Sequence, residues 1–488
     1  MSPLKIAPSL SPRIALLSLG LLAAAASACS STTVAPSGTG GSGGSGGSGG
    51  GGTGGQKPVA CTWTAKTSNA VCAAGACPIT IDQELRCDDD EFAAPGVRVA
   101  PAPDATWLAT SSGHARQVYR IAGGKSEKQD SVPESFQRTS IALTLGNDGA
   151  VHLASDTTTQ PDYKGGVVYA SYVGGAWTTS VAFDNPEKYT SVLDLEMAKD
   201  NTPLLWVLTD APDTYSLLTP DPAGGWKVAP AAVPEAGAWN RFTRASDGSI
   251  VSLAFKQNAS NGEQLHALVG ATDRAIGAPS NDFSAPDYVI AAPPAPGSPS
   301  ELLFALAMAY DNDGIHVFGE SKSAPEREVI LPGIKAPVST CQNPDPMNCT
   351  GATCHETAVG MERGSFSLAW TDEGIAYLAY VITTYDQELT YSLQGDPGIE
   401  DCWANVASDK STATLHLVRV AFDGSMPKEV LAMPVDRPGG GDAFSDLNSS
   451  VRVLDARAFG HDLAIGLRTG WITDPHAVRV LRLDTSML

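Results

Sequence analysis

SIALTLGNDGAVHLASD (residues 140–156) consists of two apolar runs joined by Asn147-Asp148-Gly149. Asp-Gly supplies the positive φ that a tight two-strand connection needs, so the stretch reads as a β-hairpin. Downstream, GGVVYASYVGGAWTTSVAF (165–183) repeats the device around Gly174-Gly175. Residues 140–183 therefore read as a four-stranded meander.

Looser copies of the first hairpin recur along the chain. The clearest are RFTRASDGSIVSLAF (241–255), FALAMAYDNDGIHVFGE (304–320) and SFSLAWTDEGIAYLAYV (365–381). Weaker ones are VLDLEMAKDNTPLLWVLTD (192–210) and VRVLDARAFGHDLAIGLRTG (451–470), with a degenerate first unit at residues 97–122. The turns near 148, 200, 247, 313, 373 and 460 lie about 45–90 residues apart, and four strands per unit at this spacing describe a β-propeller. The expected fold is thus all-β, with about seven four-stranded blades; extra strands such as TLHLVRVAFDG (414–424) in the long last gap allow six or eight. The chain ends on AVRVLRLD (477–484), short of a fourth strand, and an N-terminal strand near residues 97–109 is expected to complete that blade. Each helix candidate is interrupted by Gly or β-branched residues.

The composition agrees with many short strands and turns. Gly (49) and Pro (34) are abundant, charged residues are 17%, and hydrophobic residues at 42% suffice for a core. The net charge of −21 repels a phosphate backbone, which argues against nucleic acid as a partner.

The N-terminus carries an address. Residues 1–28 hold Lys5 and Arg13, no acid, and the apolar run IALLSLGLLAAAA, which is short for a bilayer of ~30 Å. This describes a secretory signal peptide. Ala26-Ser27-Ala28-Cys29 resembles the lipobox of bacterial lipoproteins, with Ala26 where Leu is more usual, and the resemblance implies lipid attachment at Cys29. Ser30, rather than Asp, implies an outer-membrane destination, on its periplasmic or cell-surface side. Gly/Ser-rich residues 29–60 cannot bury apolar surface and form a flexible tether with a reach of roughly 30 Å. The expected organisation is signal peptide (1–28), lipidated Cys and linker (29–60), Cys-rich disulfide-braced segment (61–96) and propeller (97–488), with a Cys-containing insertion around 335–356.

Removing Cys29 from the nine cysteines leaves eight, an even set suited to an oxidising compartment. Cys61, Cys72, Cys77 and Cys87 form one group; Cys341, Cys349, Cys354 and Cys402 form the other. Two disulfides within each group are expected, with connectivity open. CTGATCH (349–355) has the spacing of a rare haem-attachment variant, but disulfides are the preferred reading, and a zinc site is disfavoured for the same reason. The acidic stretches CDDDEF (87–92) and YDNDG (310–314) read as turns before calcium loops. His152 and His316 read as alternating strand positions. No metal or cofactor is expected.

The repeat resembles the sialidase-like (BNR-type) propellers of bacterial exported proteins, and the whole is similar to the propeller lipoproteins of myxobacterial type, over roughly residues 97–488. The Ser-x-Asp-x-Gly-x-x-Trp box is not intact: ASDGSIVSL (245–253) and YDNDGIHVF (310–318) retain only the turn. No arginine triad is assignable, so sialidase chemistry does not carry over, and no nucleophile elbow or zinc-protease motif is present. Loops joining second to third strands are expected around the channel mouth. They bring Tyr163, Tyr215, Tyr385 and Trp471 near Asp162, Asp210, Asp386 and Asp474, a mixture suited to sugars or amines. The expected function is a monomeric, membrane-anchored recognition or scaffolding module for a glycan or envelope protein. The alternative is a glycoside hydrolase or polysaccharide lyase, whose two carboxylates would meet only in three dimensions.

Overall fold

The computed structural model describes residues 61–488 except 74, 76, 88–95, 112–115, 130–139, 158–164, 186–189, 210–213, 235–237, 258–261, 281–286, 292–301, 311–313, 322–326, 335–337, 339, 342–343, 345–348, 372–373, 395–400, 437–450 and 470–476. The signal peptide, Cys29 and the Gly/Ser linker lie outside the described residues.

The strands form seven antiparallel sheets arranged as a propeller, and five of the sheets are simple four-stranded meanders. The 140–183 meander is present as Ile141–Leu145, Val151–Asp156, Val167–Val173 and Ala176–Phe183. Its first turn places Gly149 at φ 78°, the left-handed region that Asp-Gly makes accessible. The corresponding turn of the third blade lacks Gly and uses Asn201 at φ 63° instead, a residue that tolerates this region. Asn201 also accepts the Asn147 N–H through Oδ1 at 2.8 Å, tying the two turns together.

Each strand sends alternate side chains to the two faces of its sheet, so every blade buries both faces against its neighbours. Trp107 of the first blade packs against Tyr172 and Trp177 of the second, with ring centroids 4.7 and 5.6 Å apart. Trp206 of the third stacks on Phe242 of the fourth at 5.8 Å. Between the fifth and sixth blades the approach is so close that a Cβ on Gly319 would lie 2.8 Å from the Phe422 ring.

Two expectations about register are corrected. Ring closure does not use residues 97–109, which supply the first two strands of the first blade, Gly96–Ala102 and Ala105–Ser111. The last blade is completed by Ile79–Cys87, which pairs antiparallel with Ala477–Asp484 and carries Cys61–Ala65 on its outer edge. The segment 61–96 is thus partly propeller. The second correction concerns the turn near 313. It joins the second and third strands of the fifth blade, Leu302–Tyr310 and Gly314–Ser321, because Asp287–Ala291 lies inside them as the first strand. That strand was missed because DYVIA is short and flanked by Pro-rich sequence.

The cysteines pair within their groups: Cys61–Cys87, Cys72–Cys77, Cys341–Cys354 and Cys349–Cys402. Cys349 and Cys354 have different disulfide partners, so neither is left to bind haem or zinc. Among the described residues no helix is long and apolar enough to cross a membrane.

Candidate functional site

The innermost strands of a propeller line its central channel, and here three of them carry charges two or three positions apart. Thr190–Met197 contributes Asp194 and Glu196, Val451–Phe459 contributes Asp455 and Arg457, and Ala238–Arg244 contributes Arg241 and Arg244. Each of these strands shifts register where the charges begin, at Val192/Asp194, Val453/Asp455 and Ala238/Arg241. A bulge inserts an extra residue and re-aims the side chains after it. Leu195 and Ala456, between the charges, stay in the core.

One of these charges, Arg457, reaches across the channel. Arg457 of the seventh blade reaches Glu196 of the third at 3.4 Å and lies 3.6 Å from Asp455. The other Asp455 oxygen accepts the Val99 N–H of the first blade at 2.9 Å. Arg244 is 3% exposed and donates to its neighbour's carbonyl, Ala245 O, at 3.2 Å. Its Nε has no hydrogen-bond partner among the described residues.

Burial pushes the Glu196 carboxyl up to about 7; Asp194 adds to the rise while Arg457 and Arg244 oppose it. Burial raises Asp194 too, against the pull of Arg457, Arg98 and Arg241. Burial lowers the Arg244 guanidinium, with Glu196 opposing. A carboxyl that titrates near neutrality could donate or take a proton. The space beside it is small. The cavity lined by Glu196, Arg244, Arg457 and Phe459 is about 50 Å³. That volume holds a few waters, whereas small-molecule sites run to roughly 300 Å³ or more.

The loop residues expected at the channel mouth are placed unevenly. Tyr163, Asp162, Asp210, Trp471 and Asp474 lie outside the described residues, as do Asp88–Glu91 and 311–313 of the two acidic turns. Tyr215 is half-buried, its ring 5.7 Å from Phe242. Tyr385 and Asp386 require a correction. TTYDQE is no loop but the middle of the strand Ile375–Gln394. Tyr385 is 2% exposed there, opposite Ala358, while Asp386 points to the other face and lies 3.4 Å from His355. Those two residues are therefore not one ligand cluster.

His152 and His316 sit on blade strands, not at the channel. His152 Nδ1 is 2.5 Å from Tyr169 Oη, and burial pulls its pKa down to about 4. His316 Nδ1 is 2.5 Å from Glu328. The inner-strand charges were missed in the sequence, although VLDLEM and VLDAR carry the signal: charges two apart in strands otherwise apolar.

No protein-family model matches the sequence, and no curated protein matches it. Among solved structures, the chain is similar to the SapL1 lectin in complex with alpha methyl fucoside, with 13% identity, a TM-score of 0.37, and 66% of this chain and 97% of that one covered. AofleA from Arthrobotrys oligospora gives 11% identity and a TM-score of 0.36, covering 72% of this chain and 92% of that one. The alpha-L-arabinofuranosidase Arb93A from Fusarium graminearum, in complex with an iminosugar inhibitor, gives 8% and 0.36, covering 65% and 93%. At these values the likeness is one of architecture and does not bear on what this chain binds.

Proposed function

We propose that the chain is an exported lipoprotein of bacterial, myxobacterial type, anchored to the outer membrane through Cys29. Its monomeric propeller serves as a non-catalytic recognition or scaffolding module for a glycan or an envelope protein. The observation that carries the reading is the inner-strand network: Glu196 is ion-paired with Arg457, and the cavity both residues line is about 50 Å³, too small for a sugar. Four disulfides suit an oxidising compartment, in keeping with export.

The test of the enzyme alternative is turnover of a panel of neutral, amino and acidic polysaccharides. The expected result is no product with either the wild type or Glu196→Gln. Cleavage by the wild type that Glu196→Gln removes would replace this reading with a glycosidase. For the anchor, cells fed labelled palmitate are expected to label the wild type and not Cys29→Ser, which is released from membranes. An unlabelled wild type in the medium would sink the lipoprotein reading.

A further inference from the structure

The sixth blade is longer than the rest. Its first two strands, Thr353–Trp370 and Ile375–Gln394, run 18 and 20 residues. They continue past the blade as an arm, to which Asp401–Asp409 adds a third strand. Alternation along Ile375–Gln394 sorts the arm into two faces. Tyr385, Gln387, Leu389 and Tyr391 are buried on the back. The cysteines of the Cys341–Cys354 and Cys349–Cys402 bridges pack against Leu389 and Tyr391. Glu356, fully buried, accepts the N–H groups of Thr340 and Cys341 at 2.8 and 3.1 Å. The back is therefore stapled to the segment that precedes the arm.

The front is open. Trp403 is 58% exposed and stands opposite Ser392, with Asn405 opposite Thr390 in the next row. Asn405 Nδ2 donates to Ser392 Oγ at 2.8 Å. Further along, His355 lies between two carboxylates, 2.7 Å from Glu388 and 3.4 Å from Asp386, and the Glu388 side chain is 53% exposed.

An exposed indole on a braced sheet, beside hydroxyls, an amide and two carboxylates, is a recognition surface in search of a chemistry. Trp is the best aromatic partner for a cation. Two carboxylates against one imidazole, within a chain of net charge −21, draw amines and repel uronic or sulfated polymers. Spacing narrows the choice further. From Ser392, beside the indole, to Asp386 is six residues along an extended strand, about 20 Å. One small amine cannot reach both ends; a chain with an amine on each unit can.

We propose that this face binds an amino-sugar polysaccharide with free amines. One sugar sits on Trp403, and others place their ammonium groups at Glu388 and Asp386. The proposal rests on the glycan-recognition reading above and gives it a site and a ligand class.

The experiment uses the full chain in detergent and glucosamine hexamer as probe, measured calorimetrically against N-acetylglucosamine hexamer and polygalacturonate. The expected order is glucosamine hexamer about tenfold tighter than its acetylated form, from two exposed charge pairs, with polygalacturonate not bound. Trp403→Ala is expected to weaken binding about three- to fivefold. Asp386→Asn with Glu388→Gln should erase the preference for the free amine. All these positions are exposed or half-exposed, and an unchanged urea midpoint confirms that the variants fold. The proposal is overturned if the glucosamine hexamer does not bind, or if the variants bind it as the wild type does. If an array of other glycans then binds, this site fails while the recognition reading stands; if neither glycan nor envelope protein binds, both fail.

Discussion

Replacing Arg457 with Met is expected to lower stability by about 3 kcal/mol, the near end of the range for breaking a buried ion pair. The guanidinium is the shared partner of Glu196 and Asp455 and the main attraction acting on Asp194. Without it those carboxylates remain in the channel with less to offset their desolvation, while a methionine fills the volume. The deficit should depend on pH in a defined sense. Glu196 titrates at about 7 when folded against 4.5 as a free side chain. Its folded form therefore holds a proton that the unfolded chain releases, and its contribution is fully present below about 4.5 and lost as pH rises through 7. Removing Arg457 raises the folded value further, so the penalty should grow from about pH 5 to about pH 8. Urea unfolding followed by tryptophan fluorescence at both pH values measures it. A deficit below about 1 kcal/mol, the range of exposed pairs, or one equal at both pH values, contradicts the network.

The charges also explain why the sequence yields the propeller more readily than its working surfaces. A hairpin is a local object: Asn147-Asp148-Gly149 and its flanking strands interact within a few residues, so the turn chemistry is visible in the text. Closure is not local. Ile79–Cys87 pairs with Ala477–Asp484 across some 400 positions, and nothing in ITIDQELRC marks its partner. The fifth blade shows the opposite hazard. DNDG (311–314) is a genuine turn signal, but a turn does not say which pair of strands it joins, and the Pro-rich run after DYVIA hid the first strand.

The arm illustrates a third limit. TTYDQELTYS is polar enough to read as a loop, yet its alternation was present. Tyr385, Gln387, Leu389 and Tyr391 fall on one side, and Thr384, Asp386, Glu388 and Thr390 on the other. Hydropathy averaged over the stretch conceals the period of two that decides it. Part of the back face, Leu389 and Tyr391, is buried against the disulfide-linked segment that precedes the arm, a contact the strand's own sequence does not show. Trp403, the residue on which the proposed ligand site turns, stood in a stretch, DCWANVASD (401–409), noted only for its cysteine.

Deleting residues 61–87 is expected to abolish the monomeric fold. The deletion removes all four N-terminal cysteines together and orphans no thiol, so any effect comes from the strands. Three losses coincide. Leu85 is fully buried between the seventh and first blades, and losing such a side chain costs about 2–5 kcal/mol. Asp82 holds Arg479, which is 3% exposed, through two hydrogen bonds of 2.7 and 2.8 Å; stranding that guanidinium costs about 3–5 kcal/mol. Ala477–Asp484 would also become a bare, largely apolar edge, a template for pairing with another chain. Together these reach the order of 5–15 kcal/mol that stabilises a whole domain. Size-exclusion chromatography with near-ultraviolet circular dichroism should find aggregate and no native tertiary signal. The point variant Asp82→Asn separates pairing from mere length: it keeps every strand and should still lose about 3 kcal/mol. A folded, monomeric deletion variant with the wild-type urea midpoint would show that the ring closes without its N-terminal strand.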